Sequence, residues 1–304
     1  MKYVFIINLH AGDRLAETKL DEQLALLKEK IEYEKHVTNY SGEATDFVKN
    51  YCKSATSEQE TCFVACGGDG TLNEVISALV GEENKYFAVL PYGSGNDFVK
   101  YYQGYDFLSL DALISGEKKK IDVMKINDKY SVNMCNIGLE AVVGSHANKV
   151  KNKGGKHAYF KGLVKGILTG RYNALDIFAD GEKISGRHTL LCSVANGRFA
   201  GSKYMCAPKS ENDDGVMDVC LFHSMSLIRF LFCVKHYVRG THLELKSVAK
   251  KRVYKRAKQV EIVSKKETEI SLDGEMLKSK HFIITVLHKA LNILLPKKIA
   301  KELI

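Results

Sequence analysis

Glycines flanking a carboxylate, as in Gly67-Gly68-Asp69-Gly70, suit phosphate chemistry. Glycine admits positive φ and close backbone approach. A helix start behind it presents N–H groups with no partner inside the helix, which together form an anion site. The segment leaves the apolar run Cys62 to Cys66 and enters a helical stripe of Leu72, Val75, Ile76, Leu79 and Val80, so the turn joins strand to helix. Thr71-Leu72-Asn73-Glu74 has capping-box spacing, which predicts a helix start at about Thr71. Asp69 supplies a carboxylate able to hold Mg²⁺ against a nucleotide. An ordinary strand-to-helix turn also uses glycines, and a glycine motif alone does not separate the two readings.

A second unusual loop follows the next apolar run, Phe87 to Leu90: Pro91-Tyr92-Gly93-Ser94-Gly95-Asn96-Asp97-Phe98. The elements around these loops alternate. Tyr3 to Ile7 reads as a buried strand. Leu20, Leu24, Leu27 and Ile31 recur at helical spacing, as do Ala44, Phe47, Val48 and Tyr51. Such alternation predicts a parallel sheet covered by helices, in which loops at the carboxyl ends of strands line one crevice. The two glycine loops then face each other.

Past Lys120 the pattern changes to successive strands: Val123 to Ile126, Tyr130 to Asn136, Leu175 to Ala179, Thr189 to Ala195, Val216 to Phe222, Val260 to Ser264, Glu269 to Leu272 and Phe282 to Leu287. Helical stretches at Ala158 to Leu168 and Leu227 to Val238 interrupt them. The expected fold is an α/β N-terminal domain with a Rossmann-like parallel sheet over residues 1–121, and a C-terminal antiparallel β-sandwich over 122–289. The tail from about 290 to 304 is expected to pack back on the first domain.

Composition bounds the partners. The chain has 304 residues, 45% apolar, and a formal charge of +9, enough for two cores and inclined toward anions. Nucleotide phosphates, nucleic acid and an anionic membrane surface all fit, as does a lysine-rich solvated surface. No helix-turn-helix, zinc-finger or aromatic RNA-binding signature supports a nucleic-acid partner. The eight cysteines show no C-x-x-C spacing and several sit in apolar runs, so they read as buried free thiols of a reducing compartment. No apolar run approaches the roughly 20 residues needed to span a bilayer. The expectation is a cytoplasmic protein that touches membranes from outside.

Gly67-Gly68-Asp69-Gly70-Thr71-Leu72-Asn73-Glu74-Val75 resembles the signature of the diacylglycerol kinase catalytic-domain family, and Pro91-x-Gly93-Ser94-x-Asn96-Asp97-Phe98 resembles its second motif, with Ser94 where threonine is usual. Asn8 and Gly12 match a family motif near the N-terminus, but Leu9 stands where that motif has proline. Lys120-Ile121-Asp122, the segment Ser131 to Glu140 with Asn133, Asn136 and Gly138, Ala195-Asn196-Gly197, Ala207-Pro208, Asp214-Gly215-x-x-Asp218 and Leu272-Asp273-Gly274-Glu275 follow in family order. The likeness spans nearly the whole chain and is closest to the soluble bacterial lipid kinases.

The resemblance implies ATP and Mg²⁺ as cofactors, and a nucleotide site including Asn8, Thr38, Gly67, Gly68, Asp69, Gly70, Thr71, Leu72, Asn73, Ser94, Asn96 and Asp97. Asp69 would act through Mg²⁺ and Glu275 as general base. A structural Mg²⁺ would take the Asp214 carboxylate with carbonyls of Glu211 and Val216, although Asn212-Asp213-Asp214-Gly215 also reads as a simple turn. Thr38 is equally a solvated turn threonine. Leu272-Asp273-Gly274-Glu275 is also a hairpin turn. The implied activity is phosphorylation of a lipid hydroxyl, diacylglycerol by default, at an anionic membrane surface. Another lipid alcohol, an NAD kinase-like activity and a non-catalytic nucleotide-binding regulator are the alternatives; a homodimer is compatible. Lys250-Lys251-Arg252-x-x-Lys255-Arg256-x-Lys258 could meet an anionic membrane. The apolar Leu227-Ile228-x-Phe230-Leu231-Phe232 either packs on the sandwich or shapes an acyl-chain pocket.

Overall fold

A computed structural model of the chain describes residues 1–54, 58–139, 141, 174–186 and 188–299. The helical stretch expected at Ala158 to Leu168 lies outside them. The chain divides into two compact units. One combines Met1–Val123 with the chain from His288 onward, and the other is Met124–Leu287.

In the first unit the order is β1 (Lys2–Asn8), α1 (Ala16–Leu26), β2 (Glu32–Thr38), α2 (Glu43–Ser54), β3 (Thr61–Gly67), α3 (Asp69–Leu79), β4 (Lys85–Pro91) and α4 (Leu110–Ile114). The strands lie β2-β1-β3-β4, all parallel. The three inner strands β1, β3 and β4 are apolar runs because helices cover both faces, and β3 is buried throughout, whereas the edge strand β2 is largely polar. Chain order and spatial order part company at β1, which sits between β2 and β3. That reversal opens a crevice at the carboxyl ends of the strands.

Two helix expectations need correction. The first helix ends at Leu26, not Ile31, because Leu27 leaves helical dihedrals (ψ 132°); Ile31 still packs on the sheet core. The capping box at Thr71 does not form. Helix α3 starts two residues earlier, with Gly68 as its N-cap and no side-chain cap. Glu74 instead turns to the neighbouring helix, where its carboxylate accepts from the N–H groups of Gly42 (2.8 Å) and Ala44 (3.2 Å) at the start of α2. A carboxylate there complements both the orphan donors and the helix dipole.

The second unit carries an antiparallel sheet in the order β12 (Arg252–Ala257), β11 (Met217–His223), β10 (Thr189–Ala195), β7 (Met134–Gly138), β13 (Gln259–Leu272), β14 (Glu275–Leu295). Strand β8 (Leu175–Ala179) pairs with β13, β9 (Glu182–Lys183) with β8, and β5 (Glu117–Ile126) with β6 (Lys129–Ser131). The inner residues form one cluster that includes Met124, Ile137, Ile177, Val219, Ile262 and Ile284, the filling of a β-sandwich. The strand expected from Tyr130 to Asn136 breaks after Ser131, because the Asp273 carboxylate takes the Ser131 hydroxyl (2.8 Å) and the N–H groups of Val132 (3.2 Å) and Met134 (2.7 Å). The segments 260–264 and 269–272 are one strand, carried past an irregularity between Val263 and Thr268. Helix α5 (Leu227–Arg239) lies on this unit.

Strand β14 continues back into the first unit, where Ile293 pairs in parallel with Phe87 of β4. Asn292 is buried there and donates through Nδ2 to the carbonyls of Glu82 (3.0 Å), Glu83 (2.8 Å) and Lys85 (3.2 Å). Asn292→Ala leaves these acceptors without that donor and should destabilise the protein by about 2–3 kcal/mol in urea denaturation. In the second unit His242 is wholly buried, with Nε2 3.2 Å from the Cys206 carbonyl. Burial lowers its pKa from 6.5 to about 4. A histidine depressed in the folded state contributes stability that is present above its unfolded pKa and lost as pH falls through the folded one. Acidification from pH 6.5 to about 4 should therefore cost on the order of 3 kcal/mol. His242→Gln, a donor that does not titrate, should flatten that slope in denaturation curves taken across the window.

Candidate active site

Three loops converge at the carboxyl ends of β1, β3 and β4, and glycines let them touch. A Cβ on Gly12 (φ 53°) would lie 2.1 Å from the Tyr92 carbonyl oxygen, and one on Gly93 would lie 2.3 Å from the Gly68 Cα. Gly93 also donates its N–H to the Gly67 carbonyl (3.0 Å). A Cβ on Gly67 would meet the Thr71 hydroxyl at 2.4 Å. Those close approaches explain why glycine stands at these positions.

Asp69, the first residue of α3, ties two of the loops together. Its Oδ1 accepts from the N–H groups of Asp97 (2.7 Å) and Phe98 (3.3 Å). Burial, together with the neighbouring Asp97 carboxylate, pushes its pKa above the ordinary carboxylate range, against the lowering effect of the two amides. Lys100 was not foreseen in the sequence. Its Nζ donates to the Gly95 carbonyl (2.7 Å) and pairs with Asp97 (2.7 Å), closing the second loop on itself. The signal available was its position three residues after Asp97, at the start of a short helical turn. Asn96 takes the left-handed conformation (φ 53°) and donates Nδ2 to the carbonyls of Pro91 (2.9 Å) and Gly93 (2.7 Å). Its buried Oδ1 has no partner among the described residues.

The remaining expected nucleotide residues separate by role. Asn8 donates Nδ2 to the Thr71 hydroxyl (3.1 Å) and accepts from the His10 N–H (2.9 Å), so it ties the β1 loop to α3. Thr38 is buried and gives its hydroxyl to the Ile7 carbonyl (3.2 Å) across the β1–β2 pair, which corrects the alternative of a solvated turn threonine. Leu72 is a core residue with its N–H bonded to Gly68, and Asn73 is buried beside Ser77. Ser94 stands exposed in the second loop. Over Gly70 a Cβ would meet nothing. The N-terminus of α3, with no side-chain cap and open space at Gly70, fits an anionic phosphate.

Two further expectations lie in the second unit. Asp273 (φ 46°) and Gly274 (φ 94°) form the two-residue turn of the β13–β14 hairpin, in which Leu272 pairs with Glu275. The turn thus sets Glu275 at the head of β14 with its side chain exposed. Of the expected Glu211, Asp214 and Val216 set, the structure shows how the Asp214 carboxylate is held. Asp214 Oδ2 pairs with Arg256, and its Oδ1 accepts from the Val216 N–H (3.2 Å).

The chain is similar to known proteins. Residues 2–126 match the family model described as the diacylglycerol kinase catalytic domain, and residues 133–295 match the YegS C-terminal NAD kinase beta sandwich-like domain. The chain is 26% identical over 273 residues to a diacylglycerol kinase of Bacillus subtilis (strain 168), covering 88% of this chain and 87% of the relative. It is 29% identical over 279 residues to a diacylglycerol kinase of Staphylococcus aureus (strain NCTC 8325 / PS 47), covering 89% and 84%. A crystal structure of a diacylglycerol kinase from Bacillus anthracis str. Sterne has a TM-score of 0.71 at 21% identity, covering 97% of this chain and 96% of that one, and it attests the fold.

The loop tie is testable apart from activity. Asp69→Ala strands the amides of Asp97 and Phe98 and should cost about 1–3 kcal/mol. It should also speed hydrogen exchange at those two amides. Asp69→Asn keeps the acceptor oxygen and should restore most of the stability and the protection.

Proposed function

The chain belongs to the diacylglycerol kinase family of lipid kinases, and from that premise we propose that it transfers the γ-phosphate of ATP to the hydroxyl of diacylglycerol, giving phosphatidic acid. The observation that carries the reading is the pairing of glycine loops around Asp69, with the uncapped start of α3 beside them. Phosphoryl transfer asks mainly for positioning and charge neutralisation, and a rigid glycine cradle at a helix N-terminus supports both.

In this reading the first N–H groups of α3 hold the nucleotide phosphates. Asn8 and Lys100 keep the flanking loops in place. Asp69 and Asp97 are the carboxylates that would hold Mg²⁺, which when bound neutralises charge on the transferring phosphate. The Asp97 N–H bond to Asp69 Oδ1 (2.7 Å) sets these two acidic residues side by side, which suits a divalent cation. Glu275 accepts the proton as the lipid oxygen bonds to the γ-phosphorus and the bond to the leaving ADP breaks. Its exposed place at the head of β14 supports that role. The lipid lies at an anionic membrane surface. Among the described residues no helix is long and apolar enough to cross a bilayer.

Labelled ATP, Mg²⁺ and a mixed lipid extract should yield label on phosphatidic acid. Label on NAD and none on lipid would overturn the proposal in favour of an NAD kinase-like activity. Binding of ATP with no transfer to either would favour a nucleotide-binding regulator. Glu275→Gln should lower turnover by about 10²–10⁴-fold while leaving ATP affinity intact. Near-normal turnover would remove it as the base.

A further inference from the structure

Helix α5 is apolar on two faces, and only one of them is covered among the described residues. On its inner side Phe230, Cys233 and Tyr237 pack with Val248, Leu191 and Met225. The Tyr237 hydroxyl lies 3.2 Å from that of Ser193, and the Tyr237 carbonyl accepts from the Met205 N–H. Both ends are fixed. Ser226 caps the first turn through the Arg229 N–H (3.4 Å), and Gly240 ends the last turn in the left-handed region (φ 70°), where a Cβ would strike the Met205 sulfur at 2.3 Å. The helix is therefore well seated on the sandwich.

Its outer side is apolar all the same. Ile228, Leu231 and Phe232 are 83%, 56% and 58% exposed, and at i, i+3 and i+4 they fall on one face. The reading of the segment as packed on the sandwich therefore holds for Phe230 and not for these three side chains. Single exposed apolar residues need no explanation, whereas a contiguous group of large ones marks a contact surface. Lys235 and Arg239 continue the same face at i+7 and i+11, both exposed.

The charge around the helix selects the partner. From Leu227 to Lys258 there are ten lysines and arginines and one acidic residue, Glu244. Lys255 and Arg256 are engaged, with Glu182 and Asp214 respectively, which leaves the helix and the segment after it to supply the free basic surface. Exposed Lys246 and Lys250 flank Val248, which packs beneath α5. A helix with large apolar side chains on its outer face and basic residues around them suits the headgroup–acyl boundary of an anionic bilayer.

We propose that α5 docks this protein on anionic membranes, with Ile228, Leu231 and Phe232 entering the interface and Arg229, Lys235 and Arg239 meeting lipid headgroups. This deepens the lipid-kinase reading, since a lipid substrate must be reached from a bilayer. The test is co-sedimentation of the full chain with phosphatidylcholine vesicles that contain or lack phosphatidylglycerol. It is paired with turnover on long-chain diacylglycerol in vesicles and on a monomeric short-chain diacylglycerol. All the substituted side chains are exposed, so circular dichroism and melting should be unchanged.

The wild type should bind the phosphatidylglycerol vesicles. Leu231→Ser with Phe232→Ser should weaken that binding by at least about tenfold. Lys235→Glu with Arg239→Glu should weaken it to a similar degree and remove its salt dependence. Both double variants should lose turnover on the vesicle substrate and keep it on the monomeric one. Vesicle binding equal to the wild type in both would overturn the proposal. So would an equal loss of turnover on the monomeric substrate. A wild-type dimer that the variants dissociate, with vesicle binding retained, would assign the face to a second copy instead. If α5-dependent binding holds and no lipid alcohol is phosphorylated, the docking surface stands and the proposed substrate falls.

Discussion

One carboxylate organises the first unit. Asp69 opens α3, yet its Oδ1 is turned to the backbone of the loop after the neighbouring strand. That bond holds only because the two loops approach with no side chain between Gly68 and Gly93. The glycines and the carboxylate are thus parts of one device. The glycines bring the backbones together, and the carboxylate fixes their register. Its raised pKa is the sign of the burial this entails. A proton or a cation near Asp69 would change the hold between loops as well as the local charge.

The same economy governs the elements around it. Glu74 lies one turn further along α3 and reaches across to the start of α2. Thr45 of α2 answers by donating its hydroxyl to the Glu74 carbonyl (2.9 Å). Asn8 and Thr38 bond within the β1 side of the crevice. Much of the polar chemistry near the crevice is therefore spent on holding backbone, which leaves the start of α3 open beside a fixed frame. Preorganisation of this kind is what transfer chemistry uses.

Legibility in the sequence followed the range of the interactions. Tyr3 to Ile7, Cys62 to Cys66 and Phe87 to Leu90 announced β1, β3 and β4, because a fully buried parallel strand needs an apolar run. The two glycine loops were readable for the same reason, as were Asp273 and Gly274 at their hairpin, since turn chemistry is local. What escaped was decided by partners far along the chain. Thr71 and Glu74 had capping-box spacing, but α2 supplied better donors for Glu74. The partner of Asp214, Arg256, stands 42 residues on, across the β11–β12 pair. The break after Ser131 depended on Asp273, 142 residues away. In α5 the apolar letters were plain, and only the packed structure separated Phe230 and Cys233 from Ile228, Leu231 and Phe232.

Strand β14 has a consequence for how the protein is made. The first unit's sheet is bordered at β4 by a strand that is made long after it, with about 200 residues between Phe87 and Ile293. Throughout synthesis of the second unit, β4 is an unclosed edge, and the carbonyls of Glu82, Glu83 and Lys85 lack Asn292. Exposed sheet edges recruit other strands. The nascent chain therefore carries an aggregation risk at β4, and the part of β14 that pairs there is the closure that ends it.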